Sequence, residues 1–157
     1  MISAAFKKAK ELFPVQEASA HCDGPCGVYD PASARIAAEA VVSMTKKILA
    51  LEAPAHSEAK AMAAYHNTLC RFIQIKEEQA HIAKTEILVL WTDYFKPAHL
   101  EKYPDLHDII WKATKLCSAC KHEVNLEHAD ALMEAIQKIH TIFWETKDRR
   151  VEWYTAS

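Results

Sequence analysis

Glycine is almost missing from this chain: only Gly24 and Gly27 occur among 157 residues, beside six prolines. That scarcity excludes a collagenous, low-complexity or loop-dominated polypeptide. No apolar run approaches the ~18 residues that a membrane-spanning helix needs. Neither sign of charge dominates, since 19 Lys and Arg stand against 21 Asp and Glu, a formal net charge of -2. That balance argues against nucleic acid or an anionic membrane as a partner. Sustained strand alternation is missing as well. Cysteine is scarce and odd in number, five in all. In an oxidising compartment one would be left over, so the count favours a reducing, cytoplasmic setting.

What is present reads as one helical domain. Half of the residues are hydrophobic, enough for a real core at this length. Asp30-Pro31 looks like a helix start, with aspartate as N-cap and proline at N1. Ile36, Ala40, Met44, Ile48 and Leu51 recur at helical steps and predict one apolar stripe, ended by Pro54. Ser57 can cap a long second helix that the run from Trp91 to Pro97 closes, and residues 98–104 read as a connection. A third helix opens at Pro104 or Asp105, with Leu106, Ile109, Ala113, Leu116 and Cys120 on one seam, and Asn125 as its stop. A fourth runs from His128 to about Lys147, with Leu132, Ile136, Ile139 and Phe143 inward. Four helices with short connections predict an all-α, antiparallel four-helix bundle.

The chemistry is concentrated ahead of that bundle. The run His21-Cys22-Asp23-Gly24-Pro25-Cys26-Gly27-Val28-Tyr29-Asp30-Pro31 holds both glycines, two cysteines and a histidine. Ala18-Ser19-Ala20 just before it has the small residues of a cleavage site. A secretory signal also needs a continuous apolar centre of roughly 7–15 residues. Lys7, Lys8, Lys10, Glu11, Pro14 and Glu17 interrupt any such centre here. Residues 1–20 therefore read as a leader that is not an export signal, or as an ordinary frayed helix.

His21, Cys22 and Cys26 are three side-chain ligands, one short of a closed tetrahedral zinc site. Cleavage before His21 would add a free amine beside the Cys22 amide. Amine, deprotonated amide and two thiolates form a planar N2S2 set, which suits Ni(II) or Cu(II) better than zinc. The His21 imidazole could then be a fifth, axial ligand. Spacing alone leaves the metal open, and leaves a non-catalytic metal-storage bundle or a thiol redox protein using Cys22 and Cys26 as alternatives.

The same run resembles the nickel hook of nickel superoxide dismutases. Two further blocks carry the resemblance: Leu90-Trp91-Thr92-Asp93-Tyr94-Phe95-Lys96-Pro97 with Glu101-Lys102-Tyr103-Pro104, and Ile142-Phe143-Trp144-Glu145-Thr146-Lys147. It covers about residues 21–147. It implies a right-handed four-helix bundle assembling as a homohexamer, and a leader, residues 1–20, removed by a maturation protease. It implies dismutation of superoxide through a Ni(II)/Ni(III) cycle, with one nickel ion per subunit. On this chain the nickel ligands would be the His21 amine and imidazole, the Cys22 amide and thiolate, and the Cys26 thiolate. Tyr29, Asp23 and the Val28 backbone would line the pocket over the metal, and Lys96 would attract the anion or remain a solvated surface lysine.

One departure stands out. The family's glutamate and arginine that hold the axial imidazole fall at Ala37 and Gln79 here. Groups behind a ligand set its orientation and basicity, so a weaker or differently held axial ligand is expected. Cys117 and Cys120 read as packing thiols, Cys70 likewise, and His81, His99, His107, His128 and His140 as surface or hydrogen-bonded histidines.

Overall fold

The structure is a computed structural model and describes residues 27–156. The expectations for residues 1–26, including His21, Cys22, Asp23 and Cys26, lie outside the described residues. Five α-helices and no strand occur among the described residues: α1 (Ala32–Leu49), α2 (Ala59–Val89), α3 (Pro97–Lys102), α4 (Leu106–His122) and α5 (Leu126–Glu145). The four long helices form the expected bundle, α1 packing on α2 and α5, and α4 on α2 and α5.

Helix α1 starts as Asp30-Pro31 implies, shifted by one residue. Pro31 takes the cap position, and the Asp30 carboxylate accepts the Ala32 N–H at 2.8 Å. The buried face of α1 is not the predicted stripe. Ile36 is 58% exposed, whereas Ala34, Ala37, Ala38 and Val41 are in the core. Small residues let α2 and α5 approach α1 closely, so helix packing overrode the larger side chains. Arg35 and Glu39 are also buried, as an ion pair at 3.2 Å.

Other boundaries move for local reasons. Glu58, not Ser57, precedes α2, and no side chain caps that end. Residues 98–104 are not a plain connection, because α3 occupies most of them. Asn125 starts a helix instead of stopping one: its side chain accepts the His128 N–H at 3.2 Å, so α5 begins at Leu126. On α4 the fully buried positions are Leu106, Ile110, Ala113, Cys117 and Cys120, with Ile109 and Leu116 only half-buried against them. On α5, Leu132, Ile136, Ile139 and Phe143 are buried as expected.

The C-terminal tail returns over the bundle. The Val151 carbonyl accepts from His140 Nε2 at 3.0 Å, and the Ala156 N–H donates to Glu39 at 2.7 Å.

Candidate metal centre

Gly27, the first described residue, has φ +67°, left-handed backbone that favours glycine. The chain thus turns sharply where the candidate hook joins the bundle. Next come Val28, 75% exposed, and Tyr29, half-buried against the core. Tyr29 lines two pockets. One, about 280 Å³, is bounded by Gly27, Tyr29, Asp93, Tyr94, Lys96 and His99. The other, about 250 Å³, lies toward Ser33, Glu86 and Leu90.

The far wall of the first pocket is built by a single π-helical turn, Leu90–Tyr94, at the end of α2. There the Phe95 N–H bonds to the Leu90 carbonyl, five residues back, at 3.0 Å. The extra residue re-aims the side chains that follow it, and such turns often occur at functional sites. Here it sets Tyr94 at the centre of an aromatic group. The Tyr94 ring lies 4.4 Å from Phe143, 5.2 Å from Phe95, 5.6 Å from His99 and 5.7 Å from Tyr29, centroid to centroid. Its hydroxyl lies 2.6 Å from Thr146 Oγ1.

The described end of the first block, through Tyr29, and the two further blocks therefore meet at one end of the bundle. Tyr103 donates to Glu145 at 2.7 Å and Trp91 packs edge-on to His107 at 5.6 Å. Spacing along the chain gave no sign that Thr146 and Glu145 would join the wall beside Tyr94 and Tyr103. Lys96 stands exposed on the rim of the pocket, as a solvated side chain would, and also faces the cavity. The Lys96 N–H donates to His99 Nδ1 at 3.2 Å, so neutral His99 carries its proton on Nε2.

The two positions that the resemblance sets behind the axial imidazole both lie among the described residues. Ala37 is 2% exposed and offers only a methyl group. Gln79 is half-buried on α2. No group of three or more His, Cys, Asp or Glu that could hold a metal occurs among the described residues.

The remaining thiols divide by burial. Burial pushes Cys117 up to about 12 and Cys120 to about 11, from an ordinary value of 9.0. Both are packing thiols, as expected. Cys70 is exposed, which corrects the reading of it as a packing thiol; it lies on the N-terminal half of α2, most of which faces solvent. Of the histidines, His140 is buried and hydrogen-bonded.

A larger cleft, about 610 Å³, lies between the end of α5 and the tail, lined by Trp144, Arg149, Arg150 and Trp153 among others. It shares no lining residue with the pocket at Tyr29.

The family model for nickel-containing superoxide dismutase matches residues 16–147. The chain belongs to that family. The superoxide dismutase [Ni] of Streptomyces coelicolor is 42% identical over 134 residues, covering 85% of this chain and 93% of that protein. The superoxide dismutase [Ni] of Streptomyces seoulensis matches equally well. A native nickel superoxide dismutase solved at 1.30 Å superposes with a TM-score of 0.71, at 41% identity, over 82% of this chain and 99% of that one. The protein is thus a nickel-dependent oxidoreductase acting on superoxide. Nothing in these relatives supports the storage-bundle or thiol-redox alternatives.

Proposed function

We propose that this chain dismutates superoxide at a nickel ion held by residues 21–26, beside the pocket of Tyr29 and Tyr94. Two superoxide anions and two protons become dioxygen and hydrogen peroxide. The donors are the His21 amine and imidazole, the Cys22 amide and thiolate, and the Cys26 thiolate. Two thiolates and anionic nitrogen suit nickel, because soft, charge-donating ligands stabilise its higher oxidation state. When bound, nickel supplies a one-electron couple for the two half-reactions.

The amine exists only if residues 1–20 are removed, so the leader is a propeptide cut before His21 by a maturation protease. Around the site, Tyr29 orders water or an anion, and Asp23 belongs to the same pocket. Lys96 presents a positive charge at the rim, which favours entry of a small anion. The aromatic group around Tyr94 keeps bulk water from the inner wall. The working form is a cytoplasmic homohexamer; the three free cysteines among the described residues accord with a reducing compartment.

The observation that carries this reading is the position of Gly27: it follows Cys26 directly in sequence and lines the pocket with Tyr29 and Tyr94, in left-handed backbone. The test is intact mass and metal analysis of protein matured with nickel and its protease, with superoxide consumption followed directly. The expected product starts at His21, holds one nickel per subunit and consumes superoxide. Cys22→Ser and Cys26→Ser should each lose nickel. An active form that begins at Met1 would refute the proposal.

A further inference from the structure

Thr146, at the C-cap of α5, touches Tyr94 across 52 residues of sequence. It has one hydroxyl proton. Thr146 Oγ1 donates that proton to the Phe143 carbonyl at 2.6 Å, and a carbonyl can only accept. In the 2.6 Å contact between the two hydroxyls, Thr146 must therefore accept and Tyr94 must donate. The Tyr94 ring is clamped in the same orientation by Phe143, Phe95 and His99. Rotation of the phenolic proton toward the pocket would give up a bond to a partner that has no other donor to it here.

We propose that Thr146 is a positioning residue for the reaction: it accepts the hydrogen bond of the Tyr94 hydroxyl, so that Tyr94 does not offer its proton to the pocket it lines. Proton supply then falls to other pocket groups, the Lys96 ammonium among them. The role of Tyr94 is that of a fixed wall that also accepts hydrogen bonds from ordered water. This rests on the reading that the pocket at Tyr29 and Tyr94 receives the substrate. Its first test does not depend on that reading, so the two can fail separately.

The first test uses proton NMR on the chain without nickel. The Tyr94 hydroxyl proton should give its own slowly exchanging signal, with a cross-peak to the Thr146 side chain. Thr146→Val should speed its exchange with water by about five-fold or more, the loss of one hydrogen bond. Thr146→Ser keeps both bonds and should restore slow exchange. A hydroxyl proton that exchanges as fast in wild type as in Thr146→Val overturns the proposal, and so does failure of the serine variant to restore it.

The second test reads turnover against pH in the matured, nickel-loaded enzyme. Tyr94→Phe, whatever it does to turnover, should leave the midpoint of the alkaline limb in place. Thr146→Val frees the phenolic proton to turn inward and should move that midpoint, and adding Tyr94→Phe to it should cancel the movement. A midpoint moved by Tyr94→Phe alone would make Tyr94 the proton source and refute the assignment.

Discussion

The ammonium group of Lys76, carried on α2, lies 3.0 Å from the carbonyl oxygen of Glu123 at the end of α4. It also donates to the carbonyls of Cys120 and Lys121. Helices end with carbonyls that have no partner within the helix, and here one buried lysine serves three. Lys76 is 1% exposed, and burial lowers its pKa from the ordinary lysine value. Replacing it by methionine keeps the stem but strands the carbonyls. Lys76→Met should cost about 3 kcal/mol in urea unfolding, in line with losing buried charge-assisted hydrogen bonds. A loss below about 1 kcal/mol would show that water serves those carbonyls equally well.

The buried thiols make a prediction about pH. The folded values of Cys117 and Cys120, about 12 and about 11, lie above the 9.0 of a free thiol. Above pH 9 the unfolded state releases these protons and the folded state keeps them. The stability they contribute is thus fully present below about pH 9 and is lost as the pH rises toward 12. Melting temperature should fall more steeply between pH 9 and 11 in wild type than in the Cys117→Ala/Cys120→Ala variant. Iodoacetamide at pH 8 should modify Cys70, which is exposed, and spare Cys117 and Cys120 in native protein.

The tail offers a third test, because residues 148–156 lie beyond the segment that the family model matches. The Arg35 guanidinium sits 4.3 Å from the centroid of the Tyr154 ring, and Trp153 packs edge-on to His140 at 5.3 Å. The Tyr154 contact and the bond from Ala156 to Glu39 cover the buried Arg35–Glu39 pair on α1, while Trp153 ties the tail to α5. Ending the chain after Lys147 should cost about 2 kcal/mol, from exposing the apolar bundle surface that Val151 and Trp153 cover. An unchanged urea midpoint would mean the tail adds nothing to the bundle.

Ala37 and Gln79 carry the fourth. By the resemblance a charged pair would stand behind the His21 imidazole, and neither the methyl of Ala37 nor a neutral amide at Gln79 reproduces it. The nickel-loaded, matured enzyme should show a Ni(III) electron-spin signal with weakened or altered axial-nitrogen splitting. A rhombic signal with full axial splitting would mean another group holds the histidine.

Much of the bundle was legible in order. Hydrophobic residues every three or four positions mark helices because one side of each must leave water, and α5 reads correctly at Leu132, Ile136, Ile139 and Phe143. Where the reading failed, a neighbour had decided. The face of α1 turns its alanines inward because close helix approach rewards small side chains more than it rewards burying Ile36. Asn125 starts α5 because its side chain bonds forward to His128, a choice between two roles that local sequence leaves equal.

By itself the order of residues gathered the candidate donors at 21–26, where a short stretch of backbone suffices to bring them together; spacing left the metal open, and the resemblance of the whole run named it. The order of residues also determined the helical class, since periodicity is local. Only the tertiary structure decided which distant residues gather around the pocket at Tyr29. Tyr94 and Thr146 are brought together by the packing of α5 against the π turn, and no spacing along the chain encodes a contact that depends on how two helices meet.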